Sequence, residues 1–186
     1  MISVRFHGRG GQGVVTAAEL LALAAFKAGK YAQAFPSFGS ERMGAPVMSF
    51  CRISEKPIRT REPVTEPDAL LVQDPTLLHQ ADLFAGLGPD GYVLVNSARS
   101  LPGLGTERRL IVVPASSIAM KFLGRPLPGA AMLGGFAALT TAAGIEDIAA
   151  AISDRFSGAV AEGNIAAARA AYAFVTGQRE ALTTHA

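Results

Sequence analysis

Ile2-Ser3-Val4-Arg5-Phe6-His7-Gly8-Arg9-Gly10-Gly11-Gln12-Gly13-Val14-Val15-Thr16 opens the chain with a strand-like run, a glycine cluster and the start of an apolar-periodic segment that reaches about Lys27. Residues 2–7 predict a strand and Gln12 to Lys27 a helix, so the glycines sit at a β-turn-α junction. Gly8, Gly10 and Gly13 satisfy G-x-G-x-x-G in the context that gives the pattern meaning. Glycines there allow a sharp turn and bring the N–H groups of the first helical turn close to an anion.

The rest of a dinucleotide fingerprint is missing. A nicotinamide site needs an acid about 20 residues further on, at the end of the second strand, to hold the ribose. Here the sequence runs Lys30-Tyr31-Ala32-Gln33-Ala34-Phe35-Pro36, and the first acid is Glu41 in the following loop. No Gly-Lys-Ser/Thr closes the turn, so a phosphate loop that hydrolyses ATP is excluded as well. Two readings of the glycines stay open: a direct ligand role, with Gly8, Gly10, Gly11, Gln12 and Gly13 at the contact, or close packing against a helix or another chain.

Further along, 31–35 predicts a second strand. The segment Pro36-Ser37-Phe38-Gly39-Ser40-Glu41-Arg42-Met43-Gly44-Ala45-Pro46 must be a loop. Ser37, Glu41 and Arg42 are its candidate ligand- or partner-contacting side chains. Strand signals resume at 47–53 and 69–73, followed by a helix-like stretch over 76–87. Tyr92-Val93-Leu94-Val95 and Leu110-Ile111-Val112-Val113 are short continuous apolar runs, the mark of strands buried on both faces. Helical patterns then cover 116–123, 130–143, 145–156 and 163–175.

The expected fold is α/β: a three-layer, Rossmann-like, mostly parallel sheet with helices on both faces and a helical C-terminal third. No linker or repeat divides the chain, so one domain is expected over 1–178, with a frayed tail at 179–186.

Composition narrows the function. Of 186 residues, 49% are hydrophobic and 17% charged, an apolar surplus that either faces a partner or is absorbed as alanine in a tightly packed domain. A net charge of +2, from 17 basic and 15 acidic residues spread along the chain, gives no footprint for nucleic acid. Cys51 is the only cysteine, so an internal disulfide is excluded; no Cys/His pair has metal-ligand spacing. Cys51 lies in an alternating run and reads as a buried thiol. No apolar stretch is long enough to span a membrane and no export signal precedes the first strand, so a cytoplasmic protein is expected.

The run Gly8 to Leu21, then Ala34 to Pro46, then Cys51-Arg52-Ile53-Ser54 resembles the gamma subunits of pyruvate:ferredoxin oxidoreductase and related 2-oxoacid:acceptor oxidoreductases. The likeness continues through Asn96-Ser97, Gly124-Arg125-Pro126, Met132-Leu133-Gly134 and Asn164-Ile165. Two positions depart from it: Gly129, where relatives often carry asparagine, and Ala171-Tyr172, where Gly-Tyr is usual.

The resemblance implies a multisubunit enzyme that converts a 2-oxo acid and coenzyme A to acyl-CoA and CO2. Thiamine diphosphate, Mg and iron–sulfur clusters would lie on other subunits, since one cysteine cannot ligate a cubane cluster. It implies alpha, beta and ferredoxin-like delta subunits as partners and ferredoxin or another electron acceptor. The substrate would be pyruvate or a related, possibly aromatic, 2-oxo acid. This chain would shape the active-site or CoA channel and the subunit interface through Gly8, Gly10, Gly11, Gln12, Gly13, Ser37, Glu41 and Arg42, none as a proton-transfer catalyst and none as a metal ligand. The rival reading is a stand-alone, Rossmann-like nucleotide-binding protein.

Overall fold

The computed structural model describes residues 1–37, 43–80, 82–101 and 109–184, with backbone alone from 181. Its strands are β1 (Ile2–Arg9), β2 (Tyr31–Pro36), β3 (Pro46–Ser54), β4 (Ala69–Val72), β5 (Tyr92–Asn96) and β6 (Leu110–Val113). Its α-helices are α1 (Val14–Lys27), α2 (Ala115–Leu123), α3 (Gly129–Leu139), α4 (Ile145–Arg155) and α5 (Gly158–Thr184). The strands form one sheet in the order β2-β3-β1-β4-β5-β6. β1, β4, β5 and β6 run parallel, and the hairpin β2–β3 joins antiparallel to β1. The expected mostly parallel α/β sheet is therefore present.

The two faces are covered unequally. Alternation puts Val4, Phe6, Cys51, Ile53, Ala69, Leu71, Leu94, Ile111 and Val113 on one face, where they pack with apolar residues of α1, α3, α4 and α5. On the other face Leu70, Val72, Val93 and Val95 meet Leu77, Leu78 and Leu83 from the segment after β4. The helix expected over 76–87 shrinks to a 3-10 turn, Pro75–His79. Asp74 caps it, its carboxylate accepting from the Thr76 N–H, and a buried Leu83 then draws the chain into successive turns against the sheet.

A buried arginine holds that second layer. Arg5, 7% exposed, donates to the carbonyls of Leu83 (2.7 Å) and Ala85 (2.9 Å) and, through Nε, to His7 Nε2 at 3.0 Å. Burial lowers the Arg5 pKa; burial and then the Arg5 charge lower His7 to about 4. His7 is therefore a neutral acceptor at physiological pH.

Alanine absorbs part of the apolar surplus. Every residue of α3 from Ala130 to Leu139 is buried, and the helix crosses α5 closely: a Cβ on Gly134 would lie 1.9 Å from the Ala168 carbonyl oxygen. α5 starts at Gly158 and not at the expected Gly163, and a second close approach falls at Gly163. Gly163 lies inside the helix, where a Cβ would meet Leu123 at 2.7 Å and the Phe122 carbonyl at 2.8 Å. α5 also continues to Thr184. No helix among the described residues is long and apolar enough to cross a membrane.

Candidate functional site

In a sheet of this kind, ligands bind beyond the carboxyl ends of the strands, where the chain leaves in opposite directions from neighbouring strands. β1 and β4 form that point: β1 turns into α1 on one face, and β4 turns into the 3-10 segment on the other. Gly8–Gly13 leaves β1 there. Gly11 and Gly13 have φ of 90° and 72°, the left-handed region that glycine enters without a Cβ penalty. Gly13 is also the N-cap of α1, with no side-chain cap on the N–H groups behind it.

The structure joins this turn to the end of the 36–46 loop. Gly10 N–H donates to Ala45 O at 2.9 Å and Gly44 N–H to Gly10 O at 3.1 Å, and Met43 bridges Gly10 in strand-like fashion. A Cβ on Gly11 would lie 2.5 Å from the Met43 sulfur. Ser37 stands two strands away at the same end of the sheet, its N–H on Met48 O at 2.9 Å. Glu41 and Arg42 lie outside the described residues.

Gln12 acts as a brace. Its Oε1 accepts from Arg9 N–H at 2.8 Å, and its Nε2 donates to Asp74 Oδ2 at 2.9 Å. Arg9 completes the clamp: Nε lies 3.2 Å from Asp74 Oδ2, Nη2 donates to Thr76 Oγ1 at 2.9 Å, and Nη1 donates to Gly44 O at 3.1 Å. Burial pushes the Asp74 carboxyl up. Hydrogen bonds from Thr76 and Gln12, with the Arg9 charge, outweigh it and hold the carboxyl below its usual range.

Asp74 and Arg9 were not singled out in the sequence, although Asp74-Pro75-Thr76 after an apolar strand carries the signature of an N-cap followed by proline. Behind the clamp, Asn96 ties three elements together. It donates to Gln73 O and to Ser116 Oγ, each at 2.8 Å, and accepts from Ser116 N–H at 3.0 Å.

Beside the turn opens a cavity of about 430 Å³ between the N-terminal turns of α1 and α3, the end of α2 and the start of α5. Gly13, Leu20, Leu127 and Phe156 line it, with Arg125 and Arg155 supplying positive charge. α3 begins there behind Pro128 without a side-chain cap. Leu127 and Val160 on the cavity wall are 36% and 52% exposed, and Met120 and Phe122 on α2 are exposed apolar side chains as well. Cys51 is buried, and burial pushes its thiol up, away from nucleophilic chemistry.

Fold and site together define a Rossmann-like domain whose glycine turn is locked onto residues 43–45 and whose β2, among the described residues, carries no acid for a dinucleotide ribose. A sequence model of the family described as pyruvate ferredoxin/flavodoxin oxidoreductase matches residues 3–174. The chain is 51% identical over 177 residues to the common gamma subunit of the pyruvate/ketoisovalerate oxidoreductases of Pyrococcus furiosus, covering 92% of this chain and 96% of that one. It is 48% identical over 172 residues to pyruvate synthase subunit PorC of Methanothermobacter marburgensis, with the same coverage of each chain. The crystal structure of the PORC subunit of Thermotoga maritima pyruvate oxidoreductase superposes with a TM-score of 0.81 at 38% identity, over 92% of this chain and 94% of that one. The chain belongs to the pyruvate ferredoxin/flavodoxin oxidoreductase family as a gamma-type subunit, part of a multisubunit 2-oxoacid oxidoreductase. These relatives are subunits, and they do not favour a stand-alone nucleotide-binding protein.

Proposed function

We propose that this chain forms a wall of the active-site or CoA channel and helps to join the catalytic subunits, with Gly8–Gly13 and the 36–46 loop facing them. The observation that carries the reading is the pairing of Gly10 with Gly44 and Ala45, fixed from behind by Arg9, Gln12 and Asp74. The glycine turn and residues 43–45 are thereby joined into one edge, and the exposed Met43 lies on it. An edge cross-tied in this way suits a surface that positions another molecule.

The residues present fit a coenzyme A arm better than they fit any redox group. The cavity beside the turn has apolar walls, two arginines and two helix N-termini without side-chain caps. One buried cysteine fits no iron–sulfur cluster. Thiamine diphosphate, Mg and the clusters are assigned to alpha, beta and ferredoxin-like delta subunits, with ferredoxin or another acceptor taking the electrons. Coenzyme A supplies the thiol that accepts the acyl group. The substrate is pyruvate or a related, possibly aromatic, 2-oxo acid, and the exposed apolar side chains Met120, Phe122, Leu127 and Val160 are assigned to the subunit interface.

The test is substitution in the assembled complex. Gln12→Ala and Arg42→Ala are expected to raise the apparent KM for CoA while the complex stays intact by size-exclusion chromatography. Unchanged turnover and unchanged CoA affinity would remove the ligand role and leave a scaffold subunit.

A further inference from the structure

β2 ends the sheet on the hairpin side, and its outer margin is open. Ser37 N–H donates to Met48 O at 2.9 Å, and the register pairs Phe35 with Phe50, Gln33 with Arg52 and Tyr31 with Ser54. In an antiparallel ladder only alternate pairs exchange backbone bonds, so residues 31, 33, 35 and 37 point their N–H and C=O groups at β3. Ala32 and Ala34 turn theirs outward, and among the described residues nothing meets them.

A strand left in this state is a template for another extended chain unless it is charged, bulged or covered. Tyr31–Pro36 carries no charge and pairs with β3 residue for residue, without a bulge. What it fits is written in its side chains: Tyr31-Ala32-Gln33-Ala34-Phe35 reads aromatic, alanine, glutamine, alanine, aromatic from either end. A two-fold axis at Gln33 would set Ala32 opposite the partner's Ala34, Tyr31 opposite the partner's Phe35, and Gln33 opposite its own copy.

That register satisfies every outward group of the two alanines, because Ala32 and the partner's Ala34 form the hydrogen-bonded pairs. Tyr31 and the partner's Phe35 form the closer, non-hydrogen-bonded kind, where aromatic pairs stabilise neighbouring strands. A shift of two residues one way sets Ala32 against Pro36, which has no N–H to give. The same shift the other way sets Ala34 against Lys30, whose N–H already donates to Ala25 O at 3.0 Å. α1 packs over both β2 and β3, so the axis brings it beside its copy at about 10 Å, the spacing of packed helices.

We infer that β2 is the seam of a symmetric contact between two copies of this chain, which continues the sheet across a two-fold axis at Gln33. Each copy gives and receives the same bonds, the mark of an isologous interface.

The experiment is cross-linking in the assembled complex under mild thiol oxidation. The axis sets the two Gln33 α-carbons about 4.5 Å apart, within disulfide range, and the two Tyr31 α-carbons about 13 Å apart, far outside it. Gln33→Cys is expected to give a disulfide-linked pair of these chains, at a yield about tenfold or more above that of Tyr31→Cys. Cys51 is buried and adds no background. Tyr31→benzoylphenylalanine keeps an aromatic ring at the seam and covers the case in which the cysteine variant does not assemble. On illumination it is expected to join a second copy at Phe35, a residue about 13 Å away along its own strand. No linked pair from an assembled variant, or equal yields from Gln33→Cys and Tyr31→Cys, would overturn the seam. Links from residue 31 or 33 to a different subunit would overturn it in favour of a strand donated by that subunit.

Discussion

Gly134→Ala adds one methyl group where α3 and α5 cross. The new Cβ would lie 1.9 Å from the Ala168 carbonyl oxygen and 2.6 Å from its carbon, and both are backbone atoms that no rotamer change can move. Real Cβ contacts stay at or above 3.0 Å, so the helices must part by more than 1 Å along a fully buried seam. Overpacking of this kind costs up to about 3 kcal/mol. Alanine returns about 1 kcal/mol of helix propensity, leaving a net loss of about 2 kcal/mol. Hydrogen exchange of peptides from Gly129–Leu139 in the assembled complex reads this directly, and about 2 kcal/mol corresponds to a roughly thirtyfold loss of protection. Gly177→Ala is the control: it is on α5 with nothing within 4 Å of its Cβ site, so protection should hold or rise. Unchanged or increased protection in Gly134→Ala would show that the crossing has slack, and would refute the steric argument.

Three further outcomes are expected. His7 titrates at about 4 in the folded chain against about 6.5 unfolded, so the unfolded state binds the proton more tightly. Stability is then full above pH 6.5 and falls by about 3 kcal/mol as pH drops to about 4; His7→Gln should flatten that part of a denaturation-midpoint profile, and an identical slope would rule His7 out. Asp74→Ala removes the acceptor shared by Arg9, Gln12 and Thr76, and should cost about 1–2 kcal/mol. It should also speed amide exchange at Gly10, an effect absent if the turn is held by its own backbone bonds alone. Cys51 should react with a thiol-specific chromogen no faster than the protein unfolds, and rapid labelling of native protein would contradict its burial.

The strands were legible because their cues are local. Leu70-Leu71-Val72 and Val93-Leu94-Val95 are continuous apolar runs, and such runs mark strands covered on both faces. The glycine turn and the 36–46 loop stood out by composition alone. Elements that depend on distant contacts were hidden. The helix read over 163–175 begins five residues earlier, at Gly158, and the stretch after Thr76 reads as helix until Leu83 is drawn down onto the sheet. The clamp could not be read because Arg9 and Asp74 meet only once β4 lies beside β1.

The outer strand of the sheet has a guard. Gln178, near the end of α5, donates its amide to Val112 O at 3.2 Å, occupying an acceptor on the outer strand β6. An open strand edge is a template for pairing with another chain, and natural proteins commonly cover or charge such edges. The last turns of α5 therefore serve as a stopper against edge-to-edge association. Trimming the chain before residue 178 would leave the fold's centre intact and uncover a sticky rim, so shortened forms should lose solubility before they lose their circular dichroism.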